Sequence, residues 1–299
     1  MEVNCRIASR GDVPAINRLY QQAYGSHYPY CVQADGLGDL NARYYVAETD
    51  EGNIQGVART NRLPGNQRRS YELGGLAVNS DQQGNGVGKS LTLARLNDPF
   101  VSDAEGFFSE PVCYDRRCAS QRNLVMNYGF QLSGIQLARY PAIAPGIMGT
   151  QPETLALAVK PAQGRTEHRR YRIVATPAIG EGISLLPGDW RRQLRLTDCA
   201  PGPMPIGEIH IQTGYAVERY PSGCDVVDLP ANWEQTAAYL QHYTANGYIL
   251  AGILPTGAHD EIRYDYIRLV RIQSRINYRL IHVVDELIPF LRWQLSQLD

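Results

Sequence analysis

Hydrophobic and polar positions along the chain alternate in ways that predict a mixture of strands and helices. The apolar runs at residues 3–8, 44–48 and 54–60, and the run that ends at Val78, are typical of strands. From Val87 onwards the apolar residues instead fall three or four positions apart, which is typical of a helix. The pattern therefore predicts a protein of the α/β class, with strands and helices in mixed α+β order.

Local signals predict where the first helix begins and where a hairpin turns. Asp12 can cap a helix that has Pro14 in its first turn, and Ile16 and Leu19 follow at helical spacing. Residues 50–53, Asp-Glu-Gly-Asn, are turn formers between two strand-like runs. The chain is therefore expected to open as strand, helix and β-hairpin.

A glycine-rich loop joins the strand that ends at Val78 to the helix that begins at Val87. Glycines at positions 84, 86 and 88 let the backbone turn tightly and remove Cβ atoms. Successive N–H groups can then converge on an anion at the positive end of the helix, and Lys89 adds a formal charge. This order predicts an anion-binding site; the alternative is a glycine-rich turn that binds nothing.

Two families have loops of this kind, and Gln83 separates them. A Walker A loop, G-x-x-x-x-G-K-[ST], is matched at its end by Gly88, Lys89 and Ser90, but Gln83 stands where its first glycine is required. The loop instead resembles the Q/R-x-x-G-x-G/A motif of the GNAT N-acetyltransferase superfamily, in which it binds the pyrophosphate of acetyl-CoA. The resemblance implies that acetyl-CoA contacts Gln83, Gly84, Asn85, Gly86, Val87, Gly88 and Lys89.

The order of the predicted elements also resembles the start of a GNAT domain. Strand, helix, hairpin, strand, anion loop and helix follow one another, whereas a P-loop NTPase normally has its loop after the first strand. Further along, Ser120 and Gln121 followed by Gly129 and Phe130 resemble the last motif of one group of GNAT proteins. The resemblance covers roughly residues 1–160. It implies the GNAT fold, a central mixed and mostly antiparallel sheet flanked by helices.

The resemblance implies direct attack of an amine on the thioester of acetyl-CoA. In the superfamily, backbone in the middle of the fourth strand, here Leu76, Ala77 and Val78, binds the pantetheine arm and the oxyanion. Glu72 lies on the same strand and is the predicted general base. The alternative for Glu72, a strand carboxylate held in a salt bridge, stays open.

The chain departs from the superfamily at the proton donor. Many members have a tyrosine four residues before the Gly-Phe pair, where this chain has Val125. Since valine cannot transfer a proton, either another group protonates the leaving thiolate, with Tyr114 and then Tyr128 as the candidates, or the thiolate is stabilised without a dedicated acid. The same departure leaves open a non-catalytic protein that binds acyl-CoA as a regulator.

A second domain is expected from residue 161 onwards. Residues 161–166 are typical of a linker, and 299 residues are enough for two domains. The sequence Gly247-Tyr-Ile-Leu-Ala-Gly resembles Gly129-Phe-Gln-Leu-Ser-Gly, each with a second glycine five residues after the first. We interpret residues 161–299 as a smaller, degenerate GNAT-like α/β domain without a glycine loop, which completes the sheet, covers the acceptor site or forms a homodimer. A generic α/β segment is the alternative.

Further elements are predicted from the same patterns. They are strands at 106–114, 130–138, 155–160, 171–175, 206–217, 226–229, 249–255 and 261–272, helices at 120–127 and 230–246, a loop-rich stretch at 177–205, and an amphipathic C-terminal helix at 274–298 interrupted at Pro289.

The amino-acid composition of the chain limits the kinds of partner that we expect it to bind. A net charge of −1 gives no overall basic field for nucleic acid, although Arg68 and Arg69 could contact a phosphate of CoA. The six cysteines form no C-x-x-C pair and the six histidines no H-E-x-x-H motif, so no metal is expected. Neither a signal peptide nor an apolar run of about 18 residues is visible, so we expect a cytoplasmic protein without a membrane segment. Its acceptor would be a small-molecule or peptide amine.

Overall fold

The computed structural model describes residues 3–25, 31–63, 70–140, 152–161, 173–187, 194–196, 218–220, 223–231, 236–259 and 262–298. The chain divides into two compact units, the first formed by the described residues up to Ser109 and the second by those from Glu110 onwards. The domain boundary predicted at residue 160 stays a prediction.

The described part of the first unit is a sheet with two helices. Its elements are β1 (Asn4–Ile7), α1 (Val13–Tyr24), β2 (Ala42–Glu48), β3 (Ile54–Arg62), β4 (Ser70–Val78), α2 (Val87–Leu96) and β5 (Gly106–Ser109). The strands lie in the order β1-β2-β3-β4-β5, antiparallel except for the parallel pair β4–β5. The predicted fold class, a mixed and mostly antiparallel sheet flanked by helices, is confirmed.

Each helix of the first unit covers one face of this sheet, because alternate strand residues point to opposite faces. On one face, Ile16 and Leu19 of α1 pack with Val46, Val57 and Ala77. On the other, Val87 and Leu91 of α2 pack with Tyr45, Ala47 and Ala58.

Asp12 precedes α1 as predicted, but its side chain does not cap the helix. The carboxylate instead accepts hydrogen bonds from the Arg6 guanidinium at 2.7 Å and from the Ser9 backbone N–H at 2.7 Å. The predicted cap is therefore wrong, because a stronger charged donor on β1 takes the carboxylate.

The described part of the second unit contains four α-helices and eight strands. They are α3 (Ala119–Tyr128), β6 (Gln131–Tyr140), β7 (Glu153–Pro161), β8 (Ile173–Ala175), α4 (Pro177–Ser184), β9 (Leu194–Leu196), β10 (Glu218–Tyr220), β11 (Cys224–Pro230), α5 (Thr236–Ala245), β12 (Ile249–His259), β13 (Ile262–Ile272) and α6 (Ile288–Ser296). Six of the strands pair antiparallel in the order β7-β6-β12-β13-β11-β10, and β8 pairs parallel with β9.

The repeat seen in the sequence corresponds to a structural repeat within the second unit. Gly129 ends α3 before the hairpin β6–β7, and Gly247 follows α5 before the hairpin β12–β13; both have positive φ, 68° and 80°. Both hairpins also have a register shift at the same place, before Gly134 and before Gly252. The two α-β-β segments are therefore alike in element order and in irregularity. That the second descends from a GNAT domain stays a prediction.

The prediction of loop-rich structure at 177–205 is wrong at its start, where α4 forms. Glycines at 180 and 182 lower helix propensity, but Gly182 has a packing role. A Cβ atom at position 182 would lie 2.4 Å from Cη2 of Trp293, so only glycine lets this aromatic ring approach the helix. A tertiary contact thus explains why α4 contains Gly182, although glycine disfavours a helix locally.

The predicted helix at 274–298 is wrong in its first half, because only α6 is an α-helix there. The N–H of His282 bonds to the carbonyl oxygen of Cys113 at 2.6 Å. Gln121 donates to the His282 carbonyl at 3.0 Å and accepts from the Val284 N–H at 3.2 Å. These backbone groups are satisfied by other elements of the unit rather than by a helix.

The strand predicted at 106–114 is also too long, since β5 ends at Ser109. Several expectations fall outside the described residues. They are the contacts of Arg68 and Arg69, the linker beyond residue 161, and the strand at 206–217.

Candidate functional site

The glycine loop before α2 has the open backbone that an anion site requires. Gly84 and Gly86 have φ of 86° and 85°, a region that residues with a Cβ atom rarely adopt. Gly86 is the N-cap residue directly before α2, and the first helical bond runs from the Ser90 N–H to the Gly86 carbonyl. The N–H groups of the first helical turn therefore have no acceptor within the helix. They lie at the positive end of its dipole, where an anion is stabilised.

The other predicted loop residues lie around this turn. Gln83, Asn85 and Lys89 are exposed. The Gln83 side chain donates to the Val78 carbonyl at 3.5 Å and that of Asn85 to Gln82 at 3.3 Å. Val87 is buried and fixes the helix on the sheet. A Cβ atom at Gly88 would lie 3.7 Å from the Leu76 side chain. The predicted loop residues thus form one exposed turn, which the buried side chain of Val87 holds on the sheet.

β4 offers a partly unpaired edge next to this loop. It pairs with β5 only from Ser70 to Glu72, and Ser109 Oγ donates to the next carbonyl, that of Leu73, at 2.8 Å. Beyond this point no described strand of the first unit pairs with that edge of β4. Leu76, Ala77 and Val78 lie in this part of the strand, where the arm of a cosubstrate could pair with backbone.

A β-bulge interrupts β4 in the same stretch. Val57 pairs with Ala77 and Arg59 with Gly74, so that Gly75 and Leu76 together oppose the single residue Ala58. Gly75 has a φ of 56°, and a Cβ atom there would lie 2.7 Å from the hydroxyl of Tyr20. Glycine is therefore required at this position for both backbone and packing reasons.

Glu72, the predicted base, is half-buried on β4. Its carboxylate accepts a hydrogen bond from the Asn61 side chain at 3.0 Å. Burial by itself lowers the pKa of Arg59, but the negative charge of Glu72 and a bond to Tyr44 raise it above its ordinary value. Glu72 thus interacts with a nearby cation, so base and ion-pair partner both stay open as roles for it.

Tyr114, the predicted proton donor, belongs to the second unit, beyond the end of β5. Burial, and then the charges of Glu153 and Asp115, raise its pKa to about 12. A tyrosine in this state keeps its proton at neutral pH, as an acid must. Val125, at the position where many GNAT proteins have tyrosine, is 38% exposed on α3. Tyr128 is buried at the end of the same helix.

Sequence reasoning missed Glu153 at the start of β7. Its side chain is 3% exposed, one carboxylate oxygen has no hydrogen-bond partner, and burial raises its pKa to about 7. It is placed opposite Tyr114 by the Val112–Leu155 bridge and the bond from the Cys113 N–H to the Thr154 carbonyl. A glutamate at the start of a strand gives no sequence signal of such burial.

Among the described residues, no cluster of three or more His, Cys, Asp or Glu side chains is arranged to hold a metal ion. None of the helices described is both long and apolar enough to cross a membrane.

Comparisons with known proteins bear on the first unit. Residues 13–96 match the model of the acetyltransferase (GNAT) family, a range that runs from α1 to the end of α2. No curated protein sequence matches the chain.

Solved structures similar to this chain include three bacterial proteins. A GCN5-related N-acetyltransferase from Kribbella flavida is 17% identical over 53% of this chain and 97% of its own, with a TM-score of 0.41. The ribosomal-protein-S18-alanine N-acetyltransferase from Escherichia coli is 18% identical over 54% and 94%, with a TM-score of 0.40. A Salmonella typhimurium protein solved with its cofactor acetyl-CoA is 19% identical over 54% and 94%, with a TM-score of 0.42. The family-model match supports an N-terminal domain of the GNAT acetyltransferase family in this chain.

Proposed function

We propose that the protein is an N-acetyltransferase that transfers an acetyl or another short acyl group from acyl-CoA to a primary amine. The observation that carries the proposal is the exposed glycine turn at the start of α2, next to the stretch of β4 that no strand of its unit covers. The turn would hold the pyrophosphate, and the backbone of Leu76, Ala77 and Val78 would pair with the pantetheine arm. The acceptor is a small-molecule or peptide amine.

The reaction needs no covalent enzyme intermediate. The amine nitrogen attacks the thioester carbon, its N–C bond forms, and the tetrahedral intermediate collapses with cleavage of the C–S bond. Glu72 takes the proton that the amine loses, directly or through a water molecule. The CoA thiolate then leaves; either another group protonates it, for which Tyr114 stays a prediction from the sequence, or it is stabilised without a dedicated acid.

Val125 supports a second candidate function. Because valine cannot protonate a thiolate, a chain that had lost its chemistry could still bind acyl-CoA and act as a regulator. The two functions differ in a single measurable property, which is turnover.

The proposal is tested by following release of the CoA thiol from acetyl-CoA with a panel of small-molecule and peptide amines. If the protein is an enzyme, we expect steady thiol release that depends on one class of amine, and the acetylated amine should be detected by mass spectrometry. Tight binding of acetyl-CoA without turnover across the panel would contradict catalysis and favour the regulator.

A further inference from the structure

Three consecutive carbonyl groups at the bulge of β4 are each held by a side chain. The hydroxyl of Tyr20 donates to the Gly75 carbonyl at 3.0 Å, and that of Tyr24 donates to the Leu76 carbonyl at 2.8 Å. Arg95 of α2 donates to the Gly74 carbonyl at 3.2 Å. Gly74 is still paired with Arg59 of β3, so the two carbonyls of the bulge itself, those of Gly75 and Leu76, are held by the tyrosine hydroxyls of α1.

The two tyrosines act from the same side of the strand. Tyr20 and Tyr24 are four residues apart on α1 and therefore share one face of that helix, with ring centroids 5.9 Å apart. Tyr20 is buried and Tyr24 half-buried. Arg95 belongs to α2, which packs on the opposite face of the sheet.

Fixing a carbonyl also fixes the next N–H group. A peptide unit is planar and trans, so the carbonyl of one residue and the N–H of the following residue point in opposite directions. With the Gly75 and Leu76 carbonyls turned towards the tyrosine hydroxyls of α1, the N–H groups of Leu76 and Ala77 point away from them. The Ala77 N–H faces Val57, its partner on β3, whereas the Leu76 N–H lies in the bulge, in the stretch of β4 that the proposed function assigns to the acyl group.

We propose that Tyr20 and Tyr24 are positioning residues, which hold the two peptide units of the bulge so that the Leu76 N–H is directed towards the acyl oxygen of the thioester. This inference rests on the proposed function. Without the hydroxyls the peptide planes can turn, and a carbonyl directed at the acyl oxygen would repel the negative charge that develops there. The tyrosines touch neither the substrate nor the cosubstrate in this account; they act through the backbone of β4.

The test uses the full chain with Tyr20→Phe and Tyr24→Phe, which remove only the hydroxyl groups. Tyr45→Phe is the matched control, because Tyr45 is buried in the same unit but faces α2 and donates no hydrogen bond to β4. Three quantities are measured for each protein: the Kd for CoA, kcat and KM for thiol release, and hydrogen–deuterium exchange of the peptide 73–78.

We expect the two variants to lower kcat by about tenfold or more while the Kd for CoA stays within about twofold, since the pyrophosphate loop is untouched. Exchange of the peptide 73–78 should be faster than in the wild type and in Tyr45→Phe. A role in folding alone would lower the midpoint of unfolding and leave kcat unchanged.

Values of kcat and exchange equal to those of Tyr45→Phe would overturn the inference. Failure of the proposed function has a different signature, because the wild type itself would then release no CoA thiol, whether or not it binds acetyl-CoA. Hydrogen exchange needs no ligand, so even then it decides whether the two hydroxyls hold the bulge.

Discussion

Gly134 on β6 lies directly opposite Gly252 on β12, and neither residue has room for a Cβ atom. A Cβ atom at Gly134 would lie 2.1 Å from the Ala251 carbonyl oxygen, and one at Gly252 would lie 2.3 Å from that of Ser133. This contact joins the two α-β-β segments of the second unit at equivalent positions of the repeat. The sheet of this unit therefore needs glycine at both positions, because the backbones of the two strands approach each other closely there.

We predict that Gly134→Ala lowers the free energy of unfolding by about 3 kcal/mol, because backbone atoms cannot move aside as a flexible side chain can. Chemical denaturation measures the change. Gly38→Ala is the control, since a Cβ atom there meets nothing within 4 Å, and its effect should stay within about 0.5 kcal/mol. Equal stabilities of the two variants would contradict the paired-glycine contact.

Glu153 predicts an unusual dependence of stability on pH. Its pKa is raised by burial to about 7, so the folded protein holds a proton that the unfolded chain releases near pH 4.5. The stabilisation is complete below the unfolded pKa and is lost as pH rises through 7, by an amount on the order of 2–3 kcal/mol. Glu153→Gln should remove this loss, so that the variant unfolds at higher denaturant than the wild type at pH 8.

The measurement is chemical denaturation of wild type and variant at a series of pH values from 5 to 8. Glu181→Gln, at an exposed position on α4, controls for the loss of a carboxylate. A wild-type stability that rises between pH 5 and 8 in parallel with that of Glu153→Gln would show that this carboxyl is not the cause.

Glu72→Gln separates the two roles left open for Glu72. If the carboxylate is the general base, the rate of amine acetylation should fall by about 100-fold with little change in the Kd for acetyl-CoA. Glu51→Gln, in the exposed turn between β2 and β3, should leave the rate unchanged. A normal rate together with a lower unfolding midpoint would show that Glu72 only balances the charge of Arg59.

The sequence predicted the first unit better than the second, for physical reasons. The helix beginning at Val87 was predicted at its observed start, because Gly86 and the apolar spacing are local signals. α4 was missed because Gly182 is explained by Trp293, which is more than 100 positions away in the chain. The segment before α6 was misjudged because Gln121 and Cys113, rather than a helix, satisfy its backbone.

Of the candidate site, too, one part could be predicted from the sequence and another could not. The loop from Gln83 to Lys89 is contiguous, so its motif could be read from the sequence and the structure shows it as one turn. The bonds of Tyr20 and Tyr24 to β4 join residues that are 55 and 52 positions apart. They depend on the bulge at Gly75. No local sequence pattern predicts this bulge, because it arises from the register between β3 and β4.

The most direct test of the central claim is calorimetric titration of the protein with acetyl-CoA and, separately, with Mg-ATP. Gly86→Asp places a carboxylate where the phosphates would bind, and Gly52→Asp is its matched control, since both glycines have positive φ and open space around them. We expect micromolar binding of acetyl-CoA by the wild type and by Gly52→Asp, and none by Gly86→Asp. Binding of Mg-ATP alone, or equal binding of acetyl-CoA by all three proteins, would contradict it.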